Sequence, residues 1–323
     1  MEGLYPLTFN AIYKEKLWGG QKIKTVLNKD FGNLANCGET WELSGVKGNV
    51  SIVANGPFKG RPLDQLLDEF KGELVGTSVF RQFKNEFPLL IKFIDAAEDL
   101  SIQVHPDDAL AKKKHDGFGK TELWYILQAD ENASLISGFN RPTNKDEYLK
   151  FFEEGRLTEL LNKENVHSGD VFFLPSGRVH TIGAGLLLAE IQQTSDITYR
   201  IYDFDRIDKD GNKRELHQDD ALEAIDFNHY DNYKTNYKSS PNTENRLVES
   251  PFFTTNKWII DEQTMINRSV LDCFKIYIST EGAGTINGVS MKKGSVLLIP
   301  AMIKEISVEP EGQMELLETY IEL

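Results

Sequence analysis

The 323-residue chain is short of several things, and each shortage narrows what it can be. It has two cysteines, Cys37 and Cys273, far apart in the sequence. That spacing argues against a disulfide framework and predicts a protein of a reducing cytoplasm. No apolar run approaches the roughly 20 residues of a membrane-crossing helix, so no membrane partner is expected. The opening residues, Met1 to Pro6, carry no basic segment followed by an apolar stretch, so no secretory signal is expected either. Positive charge is also scarce: 36 Lys and Arg against 50 Asp and Glu leave a net charge of -14. That balance disfavours a nucleic-acid backbone as partner. An anionic substrate would need a local basic patch, for which Lys92, Lys120 and Arg200 are candidates.

What the chain does have is a series of short strands. Glu39 to Ser44 alternates polar with apolar, as a half-buried strand does, and Ser51 to Ala54 is its expected neighbour. Pro62 to Phe87 changes to helical spacing, with Leu63, Leu66, Leu67 and Phe70 on one face. Pro88 to Ile94 is a nearly continuous apolar run, as in a buried strand. In the next stretch Leu100, Ile102 and Val104 point one way, and Ser101, Gln103 and His105 the other. A glutamine and a histidine aimed to one side suit a metal site better than a surface. A short helix from Asp107 to about His115 follows, then a strand from Gly119 to Leu127. Residues 144–165 read as helical, with Tyr148, Phe151 and Phe152 inward. Gly169 to Ile182 and Leu186 to Tyr202 return to strand character, with Glu190 on the side of Leu186 and Leu188, and Arg200 on the side of Thr198 and Tyr202. Asp205 to Lys213 reads as a loop, Glu215 to Ile225 as a short helix, and Ser239 to Asn242 as a linker. Strands at Phe274 to Ser279, Gly284 to Ile286, Ser295 to Ile299 and Met314 to Ile321 follow, with Asn287-Gly288 as a hairpin turn.

The sequence also echoes itself. Gly169-Asp-Val-Phe-Phe-Leu-Pro175 has a counterpart in Gly294-Ser-Val-Leu-Leu-Ile-Pro300. Two glycine-to-proline strands of one pattern predict a duplicated β-sandwich. The copies then diverge, the first reaching His180 and the second Glu305, so any site belongs to the N-terminal half.

The phrase Gly169-x5-Pro175-x-Gly177-x2-His180 resembles the second signature motif of the cupins, and Gln103-Val104-His105 with Glu122 resembles the metal-binding half of their first. Among cupins, the chain resembles the type I mannose-6-phosphate isomerases in its shorter bacterial form. The phrases that carry this are Leu17-Trp18-Gly19-Gly20, Glu39-Thr40-Trp41-Glu42, Gln103-Val104-His105-Pro106-Asp107-Asp108, Gly119-Lys120-Thr121-Glu122, and Ala189 through Arg200. The likeness covers most of residues 5–230.

The resemblance implies a mainly β fold: two cupin-type β-barrels of jelly-roll form with a few helices, the C-terminal one lacking metal ligands. The expected division is 1–235 for the metal-binding domain, 236–250 for a linker and 251–323 for the degenerate domain. The implied ligands of one zinc ion are Gln103, His105, Glu122 and His180. The implied catalytic residues are Arg200, Lys120 and Glu190, and Trp18 and Trp41 read as core or pocket-wall residues. Each has a plainer reading: a strand-end histidine, a snorkelling lysine, or Arg200 in a salt bridge with Glu190 or Asp203. His115, His167, His217 and His229 read as surface residues. The implied reaction is aldose–ketose isomerisation of mannose 6-phosphate to fructose 6-phosphate through an enediol, with Glu190, a metal-bound hydroxide or a ligand histidine open as the base. An iron dioxygenase is the rival enzyme class, since two histidines and a carboxylate also suit it. A small sugar phosphate is the expected partner; the sequence carries no signal for or against an oligomer.

Overall fold

The computed structural model describes residues 3–207 and 211–323. Part of the expected loop from Asp205 to Lys213 therefore lies outside the described residues; Ile207 and Lys213 pair on either side of it.

Each half of the chain is a pair of facing sheets in jelly-roll arrangement rather than one continuous closed barrel. In the N-terminal half a six-stranded sheet runs in the order Ile12–Lys14, Glu39–Leu43, Leu89–Ala96, Leu186–Gln193, Glu122–Ala129, Val171–Leu174. Its partner runs Tyr199–Tyr202, Ile102–Val104, His180–Ile182, Ser134–Phe139, Leu161–Asn165. The C-terminal half repeats the plan with five strands (Asn245–Glu249, Thr254–Ile260, Met314–Tyr320, Lys275–Glu281, Val296–Ile299) and four (Thr264–Asn267, Glu305–Pro310, Ala283–Ile286, Val289–Lys292). The two glycine-to-proline strands, Val171–Leu174 and Val296–Ile299, occupy matching edges of the two larger sheets. The echo in the sequence is thus an echo in topology.

Leu186–Gln193 shows why the halves pack as they do. Every residue of this strand is buried, so both of its faces meet core. Leu186 and Leu188 join Trp124, Ile126 and Ile182 inside the N-terminal sandwich. Leu187, Ala189 and Ile191 face the other way, into one continuous core with Ile276, Ile278, Leu298 and Leu317 of the C-terminal half. A strand covered on both sides loses the alternating pattern of a surface strand. Burying each such Leu or Ile contributes about 1.5–3 kcal/mol, and the shared core holds the two sandwiches back to back. Phe87 against Phe274 (ring centroids 4.8 Å apart) and the Leu7–Leu298 bridge close the seam.

Several expected elements differ in detail. Pro62 to Phe87 is three short helices, Leu63–Phe70, Gly72–Val75 and Thr77–Phe83. Lys71 (φ 48°), Gly76 (φ 98°) and Lys84 (φ 54°) end the three in turn, because a left-handed residue cannot continue a right-handed helix. In the span 144–165 the helix is only Lys145–Glu153, with the Asn144 side chain accepting from the Glu147 N–H. A 3₁₀ turn, Leu157–Leu160, and the strand Leu161–Asn165 follow. Ser51 donates its N–H to Ser44, but the sheet neighbours of Glu39–Leu43 are Ile12–Lys14 and Leu89–Ala96. Asn287 and Gly288, both at positive φ, do turn the hairpin between Ile286 and Val289. Within the stretch 236–250, Asn245–Glu249 pairs with Thr254–Ile260 as an edge strand.

Candidate metal centre and cavity

Strands from both N-terminal sheets, with the residues that flank two of them, bring the predicted site residues together. Gln103 is opposite His180 in the smaller N-terminal sheet, and on its other side it is opposite Arg200. Glu122 and Glu190 come from neighbouring strands of the facing sheet, and Lys92 lies directly opposite Glu190 on the next strand. His105 follows the end of Ile102–Val104. The Gly177 N–H donates to its carbonyl (2.9 Å), tying the second motif's turn to the first motif's histidine. Gly177 is at φ +87°, and a Cβ there would meet the Ala224 carbonyl oxygen at 2.9 Å, so the turn needs glycine.

His105, Glu122 and His180 are fully buried, and one ligand atom from each lies within 4.8 Å of the others. His105 Nδ1 meets the Ile197 carbonyl at 2.9 Å and His180 Nδ1 meets the Arg178 carbonyl at 2.8 Å. A carbonyl only accepts, so each Nδ1 carries the proton and each Nε2 lone pair turns inward, as metal-binding imidazoles require. These Nε2 atoms lie 3.5 Å (His105) and 3.4 Å (His180) from the two Glu122 oxygens. Glu122 Oε1 is buried with no hydrogen-bond partner. A buried carboxylate oxygen left in that state is expensive unless a cation completes it. The donor set of two imidazoles and a carboxylate therefore fits a divalent metal. Gln103 Nε2 is 3.3 Å from His180 Nε2, and a half-turn of the amide would present its oxygen to the same place.

Charge around the cluster follows from burial. The two histidines are pushed down, first by burial and next by the Lys120 charge, His180 to about 3, so both are neutral at pH 7. Glu122 is pushed up by burial and by the Glu190 carboxylate nearby. Burial would raise Glu190 too, but the charges of Lys120 and Lys92 outweigh it and hold it ionised. Lys92 Nζ donates to Glu190 Oε1 (2.9 Å) and Trp124 Nε1 to Glu190 Oε2 (2.8 Å). Lys120 Nζ donates to Glu122 and lies 3.1 Å from His105 Nε2 and 3.9 Å from Glu190.

Lys92, Gln103, Lys120 and Glu190 line a cavity of about 440 Å³; Gln103 and Lys120 are in turn in contact with the His105–Glu122–His180 cluster behind them. The walls of the cavity include Trp18, Trp41, Ser101, Gln103 and Thr198, so both tryptophans, whose sequence reading is core or pocket wall, line the cavity. The cavity is cationic in an acidic protein. Lys14, Lys16, Lys92, Lys120, Arg200 and Arg214 line it against the carboxylates of Glu39, Glu190 and Asp196. The three cations read from the sequence are all there; Lys14, Lys16 and Arg214 were missed, since nothing in their local spacing marks them.

Arg200 makes neither salt bridge of its plainer reading. Glu190 pairs with Lys92, and Asp203 with Arg206 and Arg214. Among the described residues Arg200 has no ion pair; its Nη1 donates to the Glu215 carbonyl (2.8 Å), and its buried Nε has no hydrogen-bond partner. A register shift between Arg200 and Tyr202 turns Tyr202 away from the cavity. His217, expected at the surface, is half-buried and wraps Arg200. Its Nδ1 accepts from the Arg200 N–H (3.0 Å) and its own N–H donates to the Arg200 carbonyl (2.8 Å). His115, His167 and His229 are exposed as expected.

A jelly-roll sandwich with two inward histidines and a carboxylate between its sheets defines a metal-binding cupin. Residues 7–132 match the catalytic domain of type I phosphomannose isomerase. A mannose-6-phosphate isomerase of Streptococcus mutans is 36% identical over 318 residues, covering 98% of each chain. The mannose-6-phosphate isomerase ManA of Bacillus subtilis is 36% identical over 94% of this chain and 96% of its own. The crystal structure of a Bacillus subtilis mannose 6-phosphate isomerase superposes with a TM-score of 0.87 at 34% identity, covering 98% of this chain and 99% of that one. The chain belongs to the type I mannose-6-phosphate isomerase family.

Proposed function

We propose that this enzyme interconverts mannose 6-phosphate and fructose 6-phosphate through an enediol, on a single zinc ion held by Gln103, His105, Glu122 and His180. The observation that carries this reading is the buried His105–Glu122–His180 cluster, with its unsatisfied Glu122 oxygen, next to a cationic cavity whose lining residues Gln103 and Lys120 touch it. When bound, the ion supplies Lewis-acid polarisation of the sugar carbonyl.

The chain's own residues supply the rest. The reaction moves a proton between C1 and C2, and negative charge develops on the sugar oxygens as it does so. Of the cavity carboxylates, Glu190 is the one beside Lys120 (3.9 Å) and so beside the metal cluster, and it is ionised, the state a base needs. The two lysines that keep it ionised also weaken it as a base. We assign it the proton transfer, with Lys92 and Trp124 orienting its two oxygens. Lys120 reaches both carboxylates and is placed to donate to a sugar oxygen once it releases Glu122 and His105. Arg200, cationic and without an ion-pair partner among the described residues, faces the same cavity and stabilises developing charge. Trp18 and Trp41 present ring surface to the sugar, and the Lys14 and Lys92 ammonium groups lie over the Trp41 ring at 4.8 and 5.3 Å.

Both cysteines are buried and unpaired, which supports a reducing compartment, and we place the enzyme in the cytoplasm. No helix among the described residues is long and apolar enough to cross a membrane. The partition into 1–235, 236–250 and 251–323 stays our proposed division, with Asn245–Glu249 paired as stated.

A coupled assay of fructose 6-phosphate formation tests this reading, run before and after chelation and again after zinc is restored. Activity lost with chelator and regained with zinc is the expected result. Activity untouched by verified metal removal would overturn the metal role, and inactivity of metal-replete protein would overturn the substrate.

A further inference from the structure

Arg200 differs from the other cavity cations in what holds it. Lys92 and Lys120 are placed by Glu190 and Glu122, Lys16 by Glu39, and Arg214 by Asp203. Arg200 has no ion pair among the described residues, so no counter-ion fixes where its guanidinium points. Its strand has an open side as well. Tyr199–Tyr202 is an edge of the smaller N-terminal sheet, with Ile102–Val104 as its strand neighbour. An edge strand presents outward N–H and C=O groups that no further strand takes up.

At Arg200 one residue takes up both groups. The His217 N–H donates to the Arg200 carbonyl (2.8 Å), and His217 Nδ1 accepts from the Arg200 N–H (3.0 Å). The imidazole thus stands in for the carbonyl of a missing strand. Because Nδ1 accepts, the proton of the neutral ring is on Nε2, the opposite tautomer to His105 and His180. Glu215, two residues earlier, holds the side chain by accepting from Arg200 Nη1 (2.8 Å). The clamp is itself anchored. His217 leads into the helix Gln218–Ala224, and its carbonyl accepts from the Ala221 N–H (2.9 Å). Ala221 is buried in one cluster with Val104, Tyr199 and Ile201, and Gln218 Nε2 donates to the Ile201 carbonyl (2.5 Å). Leu216 is 41% exposed while the imidazole beside it turns inward. That is the reverse of what burial of apolar surface alone would select.

We propose that His217 is a positioning residue for Arg200: its imidazole clamps the Arg200 peptide, so that a guanidinium without a counter-ion keeps its place at the reacting sugar oxygens. The inference rests on the reading of Arg200 as the group that stabilises developing charge. Loss of the clamp displaces that charge from the transition state, which lowers kcat more than it alters KM. The metal ligands lie on other strands or beyond the strand end, so zinc binding stays as it was.

The test uses the zinc-loaded full chain with two readouts: kcat and KM for mannose 6-phosphate, and hydrogen exchange of the backbone segment that carries Arg200. H217A removes the acceptor. H217N keeps one, because its amide oxygen is as many bonds from the backbone as Nδ1. H217A is expected to lower kcat roughly 10-fold, with KM within about threefold, zinc content unchanged and exchange at Arg200 faster. H217N should recover most of kcat and of the protection. On an R200A background H217A should lower kcat no further, since the clamp acts through the guanidinium. Should H217A not fold, H217Q replaces it; its amide is one bond farther out, so loss in H217Q with recovery in H217N is expected. Wild-type kcat in H217A would overturn the proposal, as would equal losses in H217A and H217N, or a full further loss on R200A. If R200A keeps its turnover, or the wild-type enzyme does not isomerise mannose 6-phosphate, the reading of Arg200 fails. Exchange then still decides the clamp: faster in H217A and restored in H217N supports it, and unchanged exchange overturns it.

Discussion

Glu190 and Glu318 occupy the same place in the two halves of the molecule. Glu190 sits on the third of five matching strands, directly opposite Lys92 on one side and Trp124 on the other. Glu318 sits opposite Asn256 and Tyr277 in the equivalent strands of the C-terminal sheet. Both carboxylates are buried, and each accepts from an indole, Trp124 Nε1 at 2.8 Å and Trp258 Nε1 at 2.9 Å. Glu190 opens on the cavity, whereas Glu318 is sealed by Arg268 and by the Tyr277 hydroxyl (2.7 Å). One duplicated position thus opens on a cavity in one sandwich and is closed by an ion pair in the other.

Replacing Glu318 by alanine should therefore unfold the protein more easily without touching the metal centre. It leaves Arg268, Tyr277 and Trp258 without their shared acceptor, and breaking such a buried pair costs about 3–5 kcal/mol. Urea denaturation should show a lower midpoint while metal content stays at the wild-type level. A midpoint unchanged within error would mean that the ion pair contributes nothing.

The same carboxyl sets an acid limit. Burial alone would raise Glu318, but its bonds to Arg268 hold it below its ordinary value. A depressed folded-state pKa contributes stability that is fully present above the unfolded value near 4.5 and is lost as pH falls through the lowered folded value. Stability of wild type minus that of Glu318→Gln, measured from pH 6 downward, should be flat at first and then shrink below about pH 4.5. A difference that grows on acidification would reverse the assignment.

At the metal centre, His105→Ala and His180→Ala should each lose most bound zinc, measured by elemental analysis of dialysed protein. Chelation of the wild type should lower its thermal midpoint, because a ligand at a thousandfold its dissociation constant stabilises by about 4 kcal/mol. Equal zinc content in both variants and the wild type would remove these histidines from the ligand set.

Arg200→Ala and Glu190→Gln should separate catalysis from metal binding. Both variants should keep wild-type zinc, and kcat should fall at least about 10²-fold, as when a preorganised charge or an acid–base group is removed. Retained turnover in Glu190→Gln would return the proton transfer to another group.

Gly76 tests the seam between the halves. It ends a helix at φ +98°, and a Cβ there would lie 2.1 Å from the Asp272 carbonyl oxygen of the C-terminal half. Gly76→Ala should cost about 1–3 kcal/mol through strain and displaced backbone, seen as a lower melting temperature. Wild-type melting would show that the two segments separate freely.

Much of this architecture was legible in the sequence because it is written in local, periodic signals. Period-two alternation identified the strand that aims Gln103 and His105 inward. The glycine-to-proline repeat identified the duplication, and motif spacing placed Glu122, Lys120 and His180 on one side of a site that the structure assembles. Helix ends were less legible. Lys71 and Lys84 take left-handed conformations that a lysine's chemistry does not announce, and only the packing of the short helices imposes them. Leu161–Asn165 read as helix because its strand pairing, with Ser134–Phe139, is made to residues far away in the chain.

What the sequence by itself supplied is a set of candidate metal-binding groups, singled out by strand alternation together with the family resemblance, and the two-sandwich plan, signalled by the repeated glycine-to-proline strand. The tertiary structure alone decided which charges meet. It paired Glu190 with Lys92 rather than Arg200, left Arg200 without a counter-ion among the described residues, set Arg206 and Arg214 on Asp203, and brought Lys14 and Lys16 to the cavity wall. Ion pairing depends on distances of a few ångströms between residues far apart in sequence, 98 positions for Lys92 and Glu190. Linear order carries no record of such distances until the sheets have closed on one another.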